Sequence, residues 1–214
     1  KIIMIGLASG LILGNLGYTH CCIEDIGVLR SIPNITIISP ADPAELAKAL
    51  IASFDHQNSI YIRLTGGSNV SQIYQEDYEF EIGKGIKIKS GEDLTIFSTG
   101  MMVKVAFDVS DILKNKNINA EVINMHTIKP IDEKLVKSAV KKNKPIFTIE
   151  EHNSIGGLGT TVSECIAKIG NAPKLTIFGI NDSYSGGGDY EYLKNHFGLN
   201  AQSISKKIIL SLKK

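Results

Sequence analysis

Short apolar runs alternate along the chain with stretches whose apolar residues recur at helical spacing. The runs at 2 to 7, 35 to 39 and 59 to 64 read as strands, and the segments 22 to 31 and 43 to 55 between them read as helices. Such alternation is the mark of βα units around a parallel sheet. The second helix has a defined start, with Asp42 at the N-cap, Pro43 at the first helical position and Glu45 at the third. That is a capping-box arrangement, which satisfies amides that have no partner inside the helix. From Thr65 to Glu92 the pattern loosens: Gly66, Gly67, Ser68 and Asn69 precede an acidic stretch (Glu76, Asp77, Glu79, Glu81) and short β-like pieces near 79 to 89. A second βα series then follows, with strands at 93 to 98, 120 to 125, 145 to 150 and 174 to 180. Its helices fall after Gly100 to about 115, at 132 to 142, at 159 to 169 and at 200 to 212. The expectation is an α/β chain with a first unit over 1 to 80, a linker over 81 to 92 and a doubly wound second unit over 93 to 214.

Composition narrows the function classes. Lys and Arg total 23 against 22 for Asp and Glu, a net charge of +1. So even a balance gives no field for gripping nucleic acid or an anionic membrane, and any selectivity for phosphate has to be local. The three cysteines, two of them adjacent at Cys21 and Cys22, fit neither a disulfide framework nor a metal pair, and a reducing cytoplasm is the expected compartment. No apolar run approaches the roughly 20 residues needed to span a bilayer. The start at Lys1, without an initiator methionine and already on an apolar run, suggests a fragment.

Chemistry is expected at His20. The tripeptide Tyr18-Thr19-His20 follows a glycine-rich loop (Gly10, Gly14, Gly17) that leaves the first strand. In parallel sheets such loops lie at the carboxyl ends of strands, where open α/β sheets bind ligands. An imidazole there can donate or accept a proton near neutral pH; the plainer alternative is that His20 caps the helix behind it. Arg63, at the end of the strand Ser59-Ile60-Tyr61-Ile62, has the fork geometry to clamp a phosphate, or equally to pair with a nearby carboxylate. Gly156-Gly157-Leu158-Gly159 opens a helix and could present amides to an anion, although tight packing or a subunit contact explains it more simply. Glu150, Glu151 and His152 are consecutive, so their side chains diverge and make a poor metal cluster. His126 and Lys129 read as shaping a turn before the helix at Asp132, and Cys21 as pocket lining.

Three motifs carry a family resemblance. GYTHCCIEDIGVLRSIPNITIISPADPAE from Gly17 is similar to the second half of the pyrimidine-binding domain of transketolases, above all the split type made as separate N- and C-terminal subunits. INMHTIKPID at 123 to 132 and IEEHNSIGGLGTTVSE at 149 to 164 resemble the C-terminal domain of the same family. The resemblance implies a partial pyrimidine-binding domain followed by a transketolase C-terminal domain, and transfer of a two-carbon ketol unit from a ketose to an aldose, as in pentose phosphate metabolism. It also implies thiamine diphosphate and Mg as cofactors, held mainly by groups outside this chain, and an N-terminal partner subunit or segment in a homo- or hetero-oligomer. His20 would handle protons and Arg63 would bind the substrate phosphate. Two family handles are missing: Ala8 and Leu16 stand where unsplit transketolases carry a phosphate-binding histidine and a hydroxyl-reading aspartate. The related 1-deoxyxylulose-5-phosphate synthases and 2-oxo-acid dehydrogenase beta subunits share the layout, and a non-catalytic assembly module is the alternative of another class.

Overall fold

A computed structural model describes residues 1–67, 70–74, 77–184 and 186–213. Ser68, Asn69 and Glu76, named in the loosened stretch, lie outside the described residues. The first sheet contains β1 (Ile3–Gly6), β2 (Ile35–Ile38) and β3 (Ser59–Arg63), parallel and in the order β1-β3-β2. Helix α1 (Asp25–Arg30) covers one face, where Ile26 meets Ile35, Ile37 and Tyr61; α2 (Pro43–Asp55) covers the other, where Ala49 meets Ile38, Ile60 and Ile62. Because both faces of β2 and β3 are covered, these strands are buried along their length rather than alternating, whereas the edge strand β1 leaves Met4 and Ile5 exposed. The Asp42 side chain caps α2 through the Glu45 amide at 2.8 Å. The Glu45 carboxylate does not close the box on the N-cap amide. It reaches one residue further back, accepting from the Ala41 N–H at 2.6 Å and from Asn124 Nδ2 at 2.8 and 3.0 Å.

The second sheet has the order β4-β6-β5-β8-β9, built from β4 (Ile86–Lys89), β5 (Leu94–Ser98), β6 (Ala120–Asn124), β8 (Ile146–Asn153) and β9 (Leu175–Ile180). All but β4 run parallel; β4 lies antiparallel on β6 at the edge, so Ile86–Lys89, within the stretch assigned as linker, belongs to this sheet. Helices α3 (Met102–Lys114) and α7 (Ala201–Leu212) pack on one face through Ala106, Val109, Leu113, Ile204 and Ile208. On the other face lie α4 (Glu133–Lys141) and α5 (Leu158–Ile169), with Val136, Ala139, Leu158 and Val162 in the core. This is the doubly wound α/β unit that the hydrophobic pattern implies.

Three elements depart from the sequence reading. The turn assigned to His126 and Lys129 contains β7 (Thr127–Lys129), which crosses to the first sheet and pairs antiparallel with β2, tying the two sheets together. Strand β8 runs three residues beyond the expected end, so Glu150, Glu151 and His152 are interior strand residues. Helix α6 (Tyr190–His196), capped by Asp189, occupies a segment with no assigned element.

Candidate active site

The glycine-rich loop leaves β1 through Ala8, which adopts φ +56°, and closes on itself where the Gly10 N–H donates to the Cys22 carbonyl at 2.7 Å. Within it, Tyr18–His20 form a 3₁₀ turn whose side chains are exposed. His20 Nδ1 lies 3.2 Å from Thr19 Oγ1. Helix α1 begins five residues later, with Glu24 at its N-cap, so His20 does not cap it. The imidazole faces solvent at the carboxyl end of the sheet. Leu16 is exposed nearby, and the Tyr18 ring packs against that of Tyr184 in the second unit, with centroids 5.5 Å apart.

Arg63 ends β3 as expected, but its guanidinium is committed to internal acceptors. Nε donates to both Asp25 carboxylate oxygens at 3.0 and 2.9 Å, and Nη2 to the carbonyls of Cys22 and Glu151 at 3.1 and 3.0 Å. The side chain is 3% exposed and that of Asp25 is 7% exposed. Of the two contacts open to this residue, the fold contains the carboxylate pair, made through Nε. Burial alone would raise the Asp25 pKa, but the charge of Arg63 and hydrogen bonds from Tyr61 and Arg63 outweigh it and hold the carboxyl below its ordinary value.

The three consecutive polar residues of β8 alternate as a strand requires: Glu150 and His152 share one face, beside Gly157, and Glu151 points to the other. Glu150 accepts from the Leu158 and Gly159 amides at 2.6 and 2.8 Å, so the N-terminus of α5 is filled by the protein's own carboxylate. Burial still pushes its pKa up to about 7. Glu151 accepts from the Leu11 N–H at 2.6 Å and from the Tyr190 hydroxyl at 2.5 Å. His152 accepts at Nε2 from the Gly27 N–H at 3.3 Å and donates from Nδ1 to the Asn153 carbonyl at 2.7 Å. Burial, assisted by the Arg63 charge, lowers its pKa to about 4, so it is neutral and its 3.9 Å approach to Asp25 is not an ion pair. Asp25, Tyr61 and Tyr190 were not singled out from the sequence, because nothing local marks a residue whose partner lies tens of positions away.

Neither glycine-rich segment of the second unit is open to a cofactor diphosphate. The α5 amides hold Glu150, and at 186 to 189 the Gly188 N–H donates to the Gly14 carbonyl at 3.0 Å while Asp189 caps α6. These residues therefore do not fit a diphosphate cradle.

Family models match the chain twice: residues 1–69 match the transketolase pyrimidine-binding domain, and residues 83–204 match the transketolase C-terminal domain. The chain belongs to the transketolase family. It is 38% identical over 213 residues to a protein of Methanocaldococcus jannaschii assigned as a transketolase C-terminal section, covering 99% of this chain and 66% of that protein. It is 34% identical to one subunit of the apulose-4-phosphate transketolase of Phocaeicola vulgatus, covering 99% of this chain and 67% of that polypeptide. 1-Deoxy-D-xylulose-5-phosphate synthases are further relatives. A solved split-gene transketolase, an inactive beta4 tetramer, superposes with a TM-score of 0.86 at 29% identity, over 99% of this chain and 66% of that one. The chain thus spans about two thirds of the length of these split-subunit relatives. Transketolases are thiamine-diphosphate enzymes, and no helix among the described residues is long and apolar enough to cross a membrane.

Proposed function

We propose that this chain is the C-terminal part of a split transketolase, transferring a two-carbon ketol unit from a ketose to an aldose in the cytoplasm, and active only with an N-terminal partner subunit or segment. The observation that carries this reading is His20, exposed on a closed loop at the carboxyl end of the first sheet and carried by a family member whose relatives include split subunits. When bound, thiamine diphosphate supplies the carbanion chemistry; its diphosphate and Mg are held by groups outside residues 1–214, since the glycine-rich segments here are filled from within. The chain's own part is to present His20 to a substrate hydroxyl or carbonyl oxygen, where the imidazole accepts and returns a proton. Leu16, exposed beside it, offers an apolar contact and no hydroxyl-reading carboxylate, which suits a pocket tolerant at the acceptor's second carbon.

The test is His20→Ala in the complete assembly. Loss of general acid–base catalysis should lower kcat by about 10²- to 10⁴-fold, with cofactor affinity and thermal midpoint nearly unchanged. Wild-type turnover would remove His20 from the chemistry. Decarboxylation of a 2-oxo acid in place of ketol transfer by the wild-type assembly would assign the chain to the synthase or dehydrogenase branch.

A further inference from the structure

The loop that carries His20 is held from the second sheet. Its neck is the Gly10–Cys22 bridge, and from there a relay of short-range backbone bonds runs to the imidazole. Gly14 N–H donates to the Leu11 carbonyl at 2.9 Å, Gly17 N–H to Gly14 at 3.0 Å, and His20 N–H to Gly17 at 3.0 Å. Displacing Leu11 therefore displaces the turn that presents His20.

Leu11 is fixed by Glu151, 140 positions away on β8 and 3% exposed. The carboxylate is divided between two donors, Oε1 taking the Leu11 N–H and Oε2 the Tyr190 hydroxyl. Its backbone carbonyl is joined to the Cys22 carbonyl through Arg63 Nη2, so one residue grips both sides of the neck. Gly10, at φ +78°, passes so close that a Cβ there would lie 2.2 Å from Glu151 Oε1. On the far flank the Gly14 carbonyl accepts from Gly188, and Gly14 packs against Leu193 of α6. A buried carboxylate is a costly acceptor for one amide and one hydroxyl. Its return is a short charge-assisted bond, stiffer than a neutral acceptor would provide.

We infer that Glu151 is a positioning residue for His20: by clamping the neck of the Gly10–Cys22 loop, it lets the C-terminal domain set where the imidazole stands in the active site. The inference rests on the proton-handling role of His20.

The experiment uses the complete enzyme for kinetics and the cofactor-free chain for amide hydrogen exchange. Glu151→Ala should speed exchange across residues 11 to 20 and lower kcat by about 100-fold while KM changes little, the scale expected for a misplaced catalytic group. Glu151→Gln keeps a carbonyl for the Leu11 N–H and should return kcat to within about threefold of wild type. Unchanged exchange in Glu151→Ala, faster exchange with wild-type kcat, or a Gln variant as impaired as Ala would each overturn the clamp. Should Glu151→Ala not fold, Glu151→Met carries the test, since it keeps a side chain of similar length and removes the acceptor of the Leu11 N–H. Faster loop exchange with lower kcat supports the clamp, and no change in either overturns it. His20→Ala separates the two levels: wild-type turnover in that variant refutes the role of His20, whereas the exchange data still report whether Glu151 holds the loop.

Discussion

Replacing Arg63 with Met tests what the buried cation at the end of β3 does. The substitution keeps an apolar stem of similar reach and removes two contacts to Asp25 and one each to the Cys22 and Glu151 carbonyls. Asp25 would keep the Tyr61 hydroxyl at 2.7 Å as a donor but lose its counter-charge. Removing one partner of a buried pair costs about 3 to 5 kcal/mol, most of it from the charge left behind. Urea unfolding of Arg63→Met should show a loss of that size at pH 7, and Arg63→Met combined with Asp25→Asn should recover a substantial part of it.

The pH dependence fixes the cause. In the wild type the Asp25 pKa is depressed, so its contribution is present above the unfolded value near 3.9 and is lost as pH falls through the lower folded value. In Arg63→Met, burial dominates and the Asp25 pKa rises. The folded variant then takes up a proton more readily than the unfolded chain, and the gap to wild type should narrow as pH falls from 7 toward 4. A loss under about 1 kcal/mol, or one that does not vary with pH, would refute the buried-pair reasoning. In the assembled enzyme, equal losses on phosphorylated and unphosphorylated acceptors fit a bracing role. A loss of about 10- to 100-fold confined to the phosphorylated acceptor would show that Arg63 reaches the phosphate.

Isothermal calorimetry of the chain alone with thiamine diphosphate and Mg should give no micromolar binding, because Glu150 and Asp189 fill the starts of α5 and α6, the helices at the segments 156 to 159 and 186 to 189; micromolar heats would mean the cofactor groups are misplaced. Gly14→Ala puts a Cβ 2.0 Å from Leu193 Cδ1 and 2.9 Å from the Gly188 carbonyl. A loss of about 1 to 3 kcal/mol is expected by thermal denaturation, partly relieved by adding Leu193→Ala. His126 stacks on Phe80 with its Nε2 buried, and burial lowers its pKa to about 4. As pH falls from 6.5 to 4 the unfolded chain gains a proton that the folded chain refuses, so stability falls in that window. Relative to wild type, His126→Phe should gain up to about 3 kcal/mol between those limits. The comparison must be a difference, since Glu45 and Glu150, both raised to about 7, change stability in the opposite sense over pH 7 to 4.5.

The βα order was legible because the inner strands are covered on both faces and so read as apolar runs, as β2, β3 and β5 do. β1 and β9 are edge strands, visible as apolar runs although Met4 and Ile5 of β1 are exposed. Strand β7 was not: Thr127–Lys129 is three residues long, sits between His126 and Pro130, and exists only because an unpaired edge of β2 is waiting for it. Helix α6 was hidden behind Gly186 to Gly188, whose turn character masks a helix that starts immediately afterwards at Tyr190.

The surroundings of the candidate site were legible where contacts are local and illegible where they are long-range. The exposure of His20 could be expected because a glycine-rich loop after a strand predicts where a side chain will face solvent, and the 3₁₀ turn presents it there. Arg63 was found by the same positional rule, but a position at a strand end says nothing about which acceptor wins. The carboxylate Arg63 meets is Asp25, which α1 brings within 3.0 Å from 38 positions away. Glu151 was noticed only as one of three adjacent ligand-type residues. Strand alternation correctly separates it from Glu150 and His152, yet no periodicity can say that the side chain pointing away from them reaches the Leu11 amide. That contact exists only once the second sheet has docked against the first, so the groups that aim His20 are a property of the docked pair of sheets rather than of any segment that carries them.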